Sequence, residues 1–240
     1  VRLWLASIKR IIPAPLKRAL VWYYRVVRRS RIYRALRHRP LSHDKILQYW
    51  ESPWDGRNAP EEYLSGAEKS ELLLRLVRQV LHTDASLLEI GCNVGRNLNY
   101  LFSAGFADLT GIEISKQAVH LLKATFPEMA QQIQIYNAPA ENVLPILDAA
   151  SFDLVFTMAV LEHIHRDSEW LFREIARVVK QYLITIEDEE HISWRHFPRN
   201  YRKVFERLGL QQIHHEDCSN IPGLGPGFVA RVFRKPAPRT

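Results

Sequence analysis

The chain is poor in cysteine, with Cys92 and Cys218 the only two among 240 residues. Two thiols cannot build the disulfide framework of a small secreted domain, so the expected setting is a reducing, cytoplasmic one. The sequence also lacks any run of eighteen apolar residues, the pattern of a membrane-spanning helix. Acidic residues are missing altogether from the first forty positions, which hold twelve Arg or Lys. The chain as a whole has 33 basic and 26 acidic residues, so the remainder carries 21 against 26 and is net acidic by five. The basicity therefore belongs to an arm, residues 1–40, and not to the body.

Within that arm, residues 16–30 separate on a helical wheel. Leu16, Ala19, Leu20, Trp22, Tyr23, Tyr24, Val26 and Val27 fall on one broad side, with Lys17, Arg18, Arg25, Arg28 and Arg29 opposite and Val21 as an exception. A helix of this kind lies in a bilayer surface with its rings at the headgroup boundary, and each cation contributes roughly 1 kcal/mol near anionic lipid. An anionic membrane surface is thus the expected partner, which makes the protein a peripheral membrane one. Packing on the body or on a second subunit explains the same stripe. Nucleic acid is disfavoured because the body is acidic. The pattern sets no oligomeric state.

Residues 41–68 mix Tyr49, Trp50, Pro53, Trp54, Pro60 and Tyr63 with charges and no sustained period, as expected of a short helix and a connector folded over the body as a lid. The body, 69–240, opens with helical spacing over 69–82. Strand and helix signals then alternate, with strands expected at 87–91, 108–114, 132–136, 151–157, 181–186, 210–216 and 227–234. Helices are expected at 94–102, 116–126, 167–179 and 198–208, and a turn at 141–144. This is the order of an α/β, doubly wound, seven-stranded and mostly parallel sheet with helices on both faces. The permissive segment Asn-Ile-Pro-Gly-Leu-Gly-Pro-Gly, 220–227, makes a hairpin-like connection that reverses the last strand.

Three motifs carry the chemistry. Glu89-Ile90-Gly91-Cys92-Asn93-Val94-Gly95 runs from an apolar strand into a glycine turn, where backbone amides can approach a ligand. Glu113 stands 22 residues beyond Gly91, at the end of the second expected strand, where a carboxylate can accept both hydroxyls of a ribose. Phe152-Asp153-Leu154-Val155-Phe156 leads to Leu161-Glu162-His163. In this order the three motifs resemble the class I S-adenosylmethionine-dependent methyltransferases, in particular the small-molecule group, over roughly 70–235. The resemblance implies a Rossmann-like methyltransferase fold and S-adenosyl-L-methionine as cofactor. It places Glu89, Gly91, Cys92, Asn93, Gly95, Glu113, Ile114, Ala140, Glu141 and Thr157 around that cofactor. Two positions depart from the family pattern: Asn93 replaces its middle glycine, and Pro139 its usual aspartate. Asn tolerates left-handed backbone, so the first departure is compatible with the turn. Glu141 is alternatively an exposed turn acid.

Nicotinamide-dependent oxidoreductases also pair a glycine turn with an acidic residue, but Asn93 and Arg96 break the G-x-G-x-x-G spacing. A membrane-associated module that keeps the fold for assembly is the non-catalytic alternative.

For methyl transfer the expected acceptor is a small, amphipathic or lipid-linked metabolite, methylated on oxygen. His163 is a candidate base because an imidazole titrates near neutrality; its other reading is a helix-start histidine bonded to backbone. His191, the second catalytic candidate, belongs to a cluster after the fifth strand, with Trp194, Arg195 and Arg199. Together with Tyr49, Trp50 and Trp54, these residues are the expected acceptor contacts. The bland alternative for the cluster is a solvated loop and an ordinary helix. Some relatives hold a metal with Glu-x-x-Glu-His, but Ala159 stands at the first position here, so no dedicated metal site is expected.

Overall fold

The alternation expected after residue 87 is present in a computed structural model of the chain, which describes residues 40–237. The basic arm, with every expectation attached to it, lies outside the described residues. Seven strands form one sheet: β1 (Leu87–Ile90), β2 (Leu109–Ile112), β3 (Gln134–Tyr136), β4 (Phe152–Met158), β5 (Val179–Asp188), β6 (Gln211–Asp217) and β7 (Phe228–Arg234). Their order is β3-β2-β1-β4-β5-β7-β6. Strands β1 to β5 pair in parallel, while β7 runs antiparallel to both β5 and β6. The reversed last strand follows from the glycine-rich loop. Its place between β5 and β6 does not, because a hairpin turn fixes direction and not which edge the pair presents.

Strand β1 is buried at every position and lies between β2 and β4, so both of its faces are covered. Leu87 joins one core layer, with Leu72, Leu76 and Leu98, while Leu88 and Ile90 join the opposite layer, with Val155, Ile175 and Phe205. The two-residue period of a strand produces this division. Around the sheet lie α1 (His43–Glu51), α2 (Ala67–Arg78), α3 (Arg96–Ser103), α4 (Lys116–Thr125), α5 (Pro127–Ala130), α6 (Ala140–Val143), α7 (Leu171–Val178) and α8 (Tyr201–Arg207). No helix among the described residues is long and apolar enough to cross a membrane.

Differences from the expected boundaries have local causes. Helix α8 starts three residues late because the Asn200 side chain accepts the Lys203 N–H, a cap that Pro198 cannot provide. Residues 166–168 form a separate short turn in which the His165 ring accepts the Asp167 N–H, so α7 begins only at Leu171. Residues 140–143 wind into a short helix rather than a simple turn.

Candidate active site

At the carboxyl end of β1 the chain turns through three left-handed residues, Gly91 (φ 72°), Asn93 (φ 48°) and Gly95 (φ 73°). A side chain at Gly91 would place its Cβ 2.5 Å from Val160 Cγ2, and one at Gly95 would lie 2.6 Å from Leu122 Cδ1. The first glycine keeps the cleft open against the segment after β4, and the second lets α3 pack against α4. Asn93 takes the left-handed conformation in place of glycine, its own Oδ1 accepting the Val94 N–H at 2.8 Å.

Two carboxylates frame this turn. Glu113 Oε2 accepts the Asn93 N–H at 2.8 Å and Oε1 accepts the Ser115 N–H at 2.8 Å, so the second strand end organises the loop after the first. Burial raises its pKa against these backbone bonds. Each of its oxygens keeps further accepting capacity on the cleft wall. Glu89 Oε1 accepts from Asn97 Nδ2 at 2.8 Å, whereas its Oε2 is buried without a partner. Burial pushes the Glu89 carboxyl up to about 8. An unpartnered acid oxygen on a cleft wall calls for a ligand partner, and a cofactor's cationic amino group, which would favour the carboxylate form, is one.

Arg96, beside this turn, fastens the lid. It donates to the Tyr63 and Ser65 carbonyls at 3.1 and 2.8 Å and to Ser70 Oγ at 3.0 Å. A second tie comes from α1, where His43 Nε2 donates to Glu141 Oε1 at 2.8 Å; that bond raises the His43 pKa. Glu141, read from the sequence as a cofactor contact or a turn acid, is therefore also a latch that holds the lid beside Ala140. From the segment 41–68, expected as a lid, Ile46, Leu47, Trp50, Pro53 and Tyr63 line the cleft together with Met158 at the end of β4 and Val160 and Ile164 after it. The Trp50 indole N–H is buried without a partner on this wall.

His163 also lines the cleft, its ring centroid 4.4 Å from that of Trp50. Its Nδ1 bonds the Arg195 carbonyl at 2.9 Å; a carbonyl only accepts, so Nδ1 carries the hydrogen and Nε2 the lone pair. Both sequence readings thus meet in one ring, bonded to backbone and facing the chamber. Burial, then the neighbouring His196, holds its pKa well below 6.5, so the ring is neutral. Glu162 beside it is pushed up to about 9 by burial and by the Glu187 carboxylate.

Of the expected cofactor contacts, Glu89, Gly91, Cys92, Asn93, Glu113, Ile114, Ala140 and Glu141 line one cleft. Gly95 supports the turn behind them. Thr157 does not line it: Met158 faces the cleft, and the period of β4 turns Thr157 to the other side of the sheet, where it is fully buried. Among the expected acceptor contacts only Trp50 is on the wall. Tyr49 is buried beneath it, packed edge-on against Trp50, Trp54 and Trp194 with centroids 5.1, 5.0 and 5.0 Å away. The Arg195 guanidinium sits 5.3 to 5.7 Å from the rings of Tyr49, Trp50 and Trp194 and clamps the lid instead of facing an acceptor. Arg199 spends its donors on the carbonyls of Phe197 and Ile164 and on Glu169. His191 is exposed behind His196, away from the cleft.

Ile46, Leu47, Arg96 and Asn97 escaped the sequence reading. The helical spacing of 46, 47 and 50 was the available signal for the lid residues.

Residues 88–183 match the family model of a methyltransferase domain. An O-methyltransferase of Aspergillus sclerotiorum is 29% identical over 135 residues, which are 55% of this chain and 48% of that protein. A ubiquinone biosynthesis O-methyltransferase of Aromatoleum aromaticum is 28% identical over 120 residues, 44% of this chain and 50% of that one. The chain thus spans about half the length of the curated relatives it matches. Among solved structures, a geranyl diphosphate C-methyltransferase of Streptomyces coelicolor, crystallised with S-adenosyl-L-homocysteine, superposes with a TM-score of 0.62 at 12% identity. That superposition covers 82% of this chain and all of the other, and it shows a shared fold.

Proposed function

We propose, from the premise that this chain carries a class I S-adenosylmethionine-dependent methyltransferase domain, that it methylates a hydroxyl oxygen of a small, amphipathic acceptor. The cofactor, S-adenosyl-L-methionine, supplies an electrophilic methyl group. Toward it, Glu113 offers acceptors for ribose hydroxyls, Glu89 Oε2 an acceptor for an amino group, and the Gly91–Gly95 turn an open approach. Ala140 and Ile114 supply apolar wall beside that position.

One observation carries the choice of acceptor: the cleft that holds Glu89 and Glu113 is also walled by Ile46, Leu47, Trp50, Pro53, Tyr63 and Met158. Such a wall favours an apolar body, while the unpartnered Trp50 N–H and the His163 Nε2 lone pair can meet one oxygen and its hydrogen. Closure by the lid excludes water, and the protein's main contribution is alignment of the two reactants. The two O-methyltransferase relatives support oxygen as the methylated atom.

The test begins with calorimetry of the full chain, freed of copurified nucleoside, against S-adenosyl-L-homocysteine. Methyl-labelled cofactor is then supplied with fractionated cell extracts. Saturable binding and label on a hydroxyl of an organic-soluble acceptor are expected. Absence of cofactor binding by folded protein, or label confined to polar water-soluble products, would overturn the proposal.

A further inference from the structure

At His163 on the cleft wall, three side-chain atoms of metal-ligating type converge. Glu162 Oε1 lies 3.7 Å from His163 Nε2 and 3.9 Å from His196 Nε2, and all three ligand atoms are within 4.8 Å of one another. These separations exceed a hydrogen bond, and none of the three atoms bonds another group among the described residues. Each side chain is held from its far side: Glu162 Oε2 accepts the Asp188 N–H, His163 Nδ1–H donates to the Arg195 carbonyl, and His196 Nδ1 bonds the Ser193 hydroxyl. All three side chains are largely withdrawn from water. A carboxyl group and two imidazoles are pinned with these atoms turned toward one another, an arrangement that a cation can bridge once the carboxyl proton is released.

We propose that Glu162, His163 and His196 form a binding site for one divalent first-row transition-metal ion, such as zinc, with His163 as its link to the cleft wall. Metal–ligand bonds of about 2.0 to 2.2 Å put tetrahedral ligands roughly 3.3 to 3.6 Å apart, so the two pairs with Glu162 close by a few tenths of an ångström and the two imidazoles by up to about 1.5 Å. A ring N–H bonded to a backbone carbonyl, as in His163, is the arrangement that orients metal-ligating imidazoles. Two imidazoles with one carboxylate select zinc, iron or cobalt over magnesium and calcium. Three protein ligands leave a coordination position open, and of the three His163 lines the cleft. The sequence argued against a metal because Ala159 removed one ligand. His196, from the loop after β5, supplies a ligand that no local motif announces.

The consequence for chemistry rests on the methyl-transfer reading: with the ion bound, the His163 lone pair would go to the metal and not to the acceptor's hydrogen, and the ion would supply Lewis-acid polarisation of an acceptor oxygen. Metal binding itself does not depend on that reading, and the experiment keeps the two apart. The full, tag-free chain is stripped with chelator and titrated with Zn2+, Co2+ and Mg2+, following heat and the visible absorption of Co2+. One Zn2+ or Co2+ per chain is expected, with Mg2+ binding far more weakly. H196A and H163A should each weaken Co2+ binding at least about tenfold while keeping the parent's affinity for S-adenosyl-L-homocysteine, which shows that the variants are folded. No stoichiometric ion, or an H196A chain that binds as tightly as the parent, would overturn the site. A chain that binds the ion yet methylates nothing removes only the methyl-transfer reading.

Discussion

At the scale of single residues, Glu89 shows how burial writes a pH signature into the chain. Its carboxyl is lifted to about 8 by desolvation against an ordinary 4.5, despite the Asn97 bond. The unfolded chain therefore releases this proton near pH 4.5 while the folded chain keeps it until about pH 8. The stabilisation is complete below the lower value and is lost as pH rises through the window, at up to about 1.4 kcal/mol per pH unit. E89Q has nothing to titrate at this position. Denaturant unfolding of the cofactor-free protein from pH 5 to 8 should lose one proton's worth of slope in the variant, and an unchanged slope would contradict the assignment. That Glu89 matters could be read from its place at a strand end before a glycine turn. That one of its oxygens is orphaned could not, because the Asn97 side chain reaches it only once α3 has packed.

At the scale of elements, the lid is held by aromatic and cationic contacts and not by an apolar face alone. Helix α1 buries Ile46 and Tyr49, turns Leu47 and Trp50 to the cleft, and is clamped from the far side by Arg195. Cation–π contacts contribute about 0.5 to 2 kcal/mol each, the larger values when desolvated. R195A should therefore raise amide hydrogen exchange over 43–63 by about tenfold and leave β1 and β4 protected. Equal exchange in both proteins would show that the clamp carries no weight. The aromatics of 41–68 are legible in the sequence as a cover over the body, whereas Tyr49, Trp194 and Arg195, expected at the acceptor, pack on one another. Tryptophan, tyrosine and arginine make the same composition whether they bind a ligand or one another, and only packing tells these apart. Thr157 fell outside the cleft for a simpler reason: a strand shows its residues to alternate faces, and a motif does not say which face is which.

At the scale of the whole molecule, charge is divided between a basic arm and an acidic body. We propose that residues 1–40 bring the catalytic domain to anionic membrane, where an amphipathic acceptor would be concentrated. Sedimentation with vesicles of anionic phospholipid should retain the full chain at low salt and release it as salt rises, while a chain lacking residues 1–40 stays in solution. Equal retention of both chains would remove this role. The amino-acid sequence by itself determined the succession of strands and helices, the glycine turn, the two framing acids and the reversed final strand. Each of these is written in local periodicity or in the backbone preferences of single residues. Tertiary structure alone decided which lid residues became wall, which aromatics packed around Arg195, and that Glu162 and His163 meet His196. Those relations join segments far apart in the chain, and they exist only where the β4 and β5 loops converge above a folded sheet.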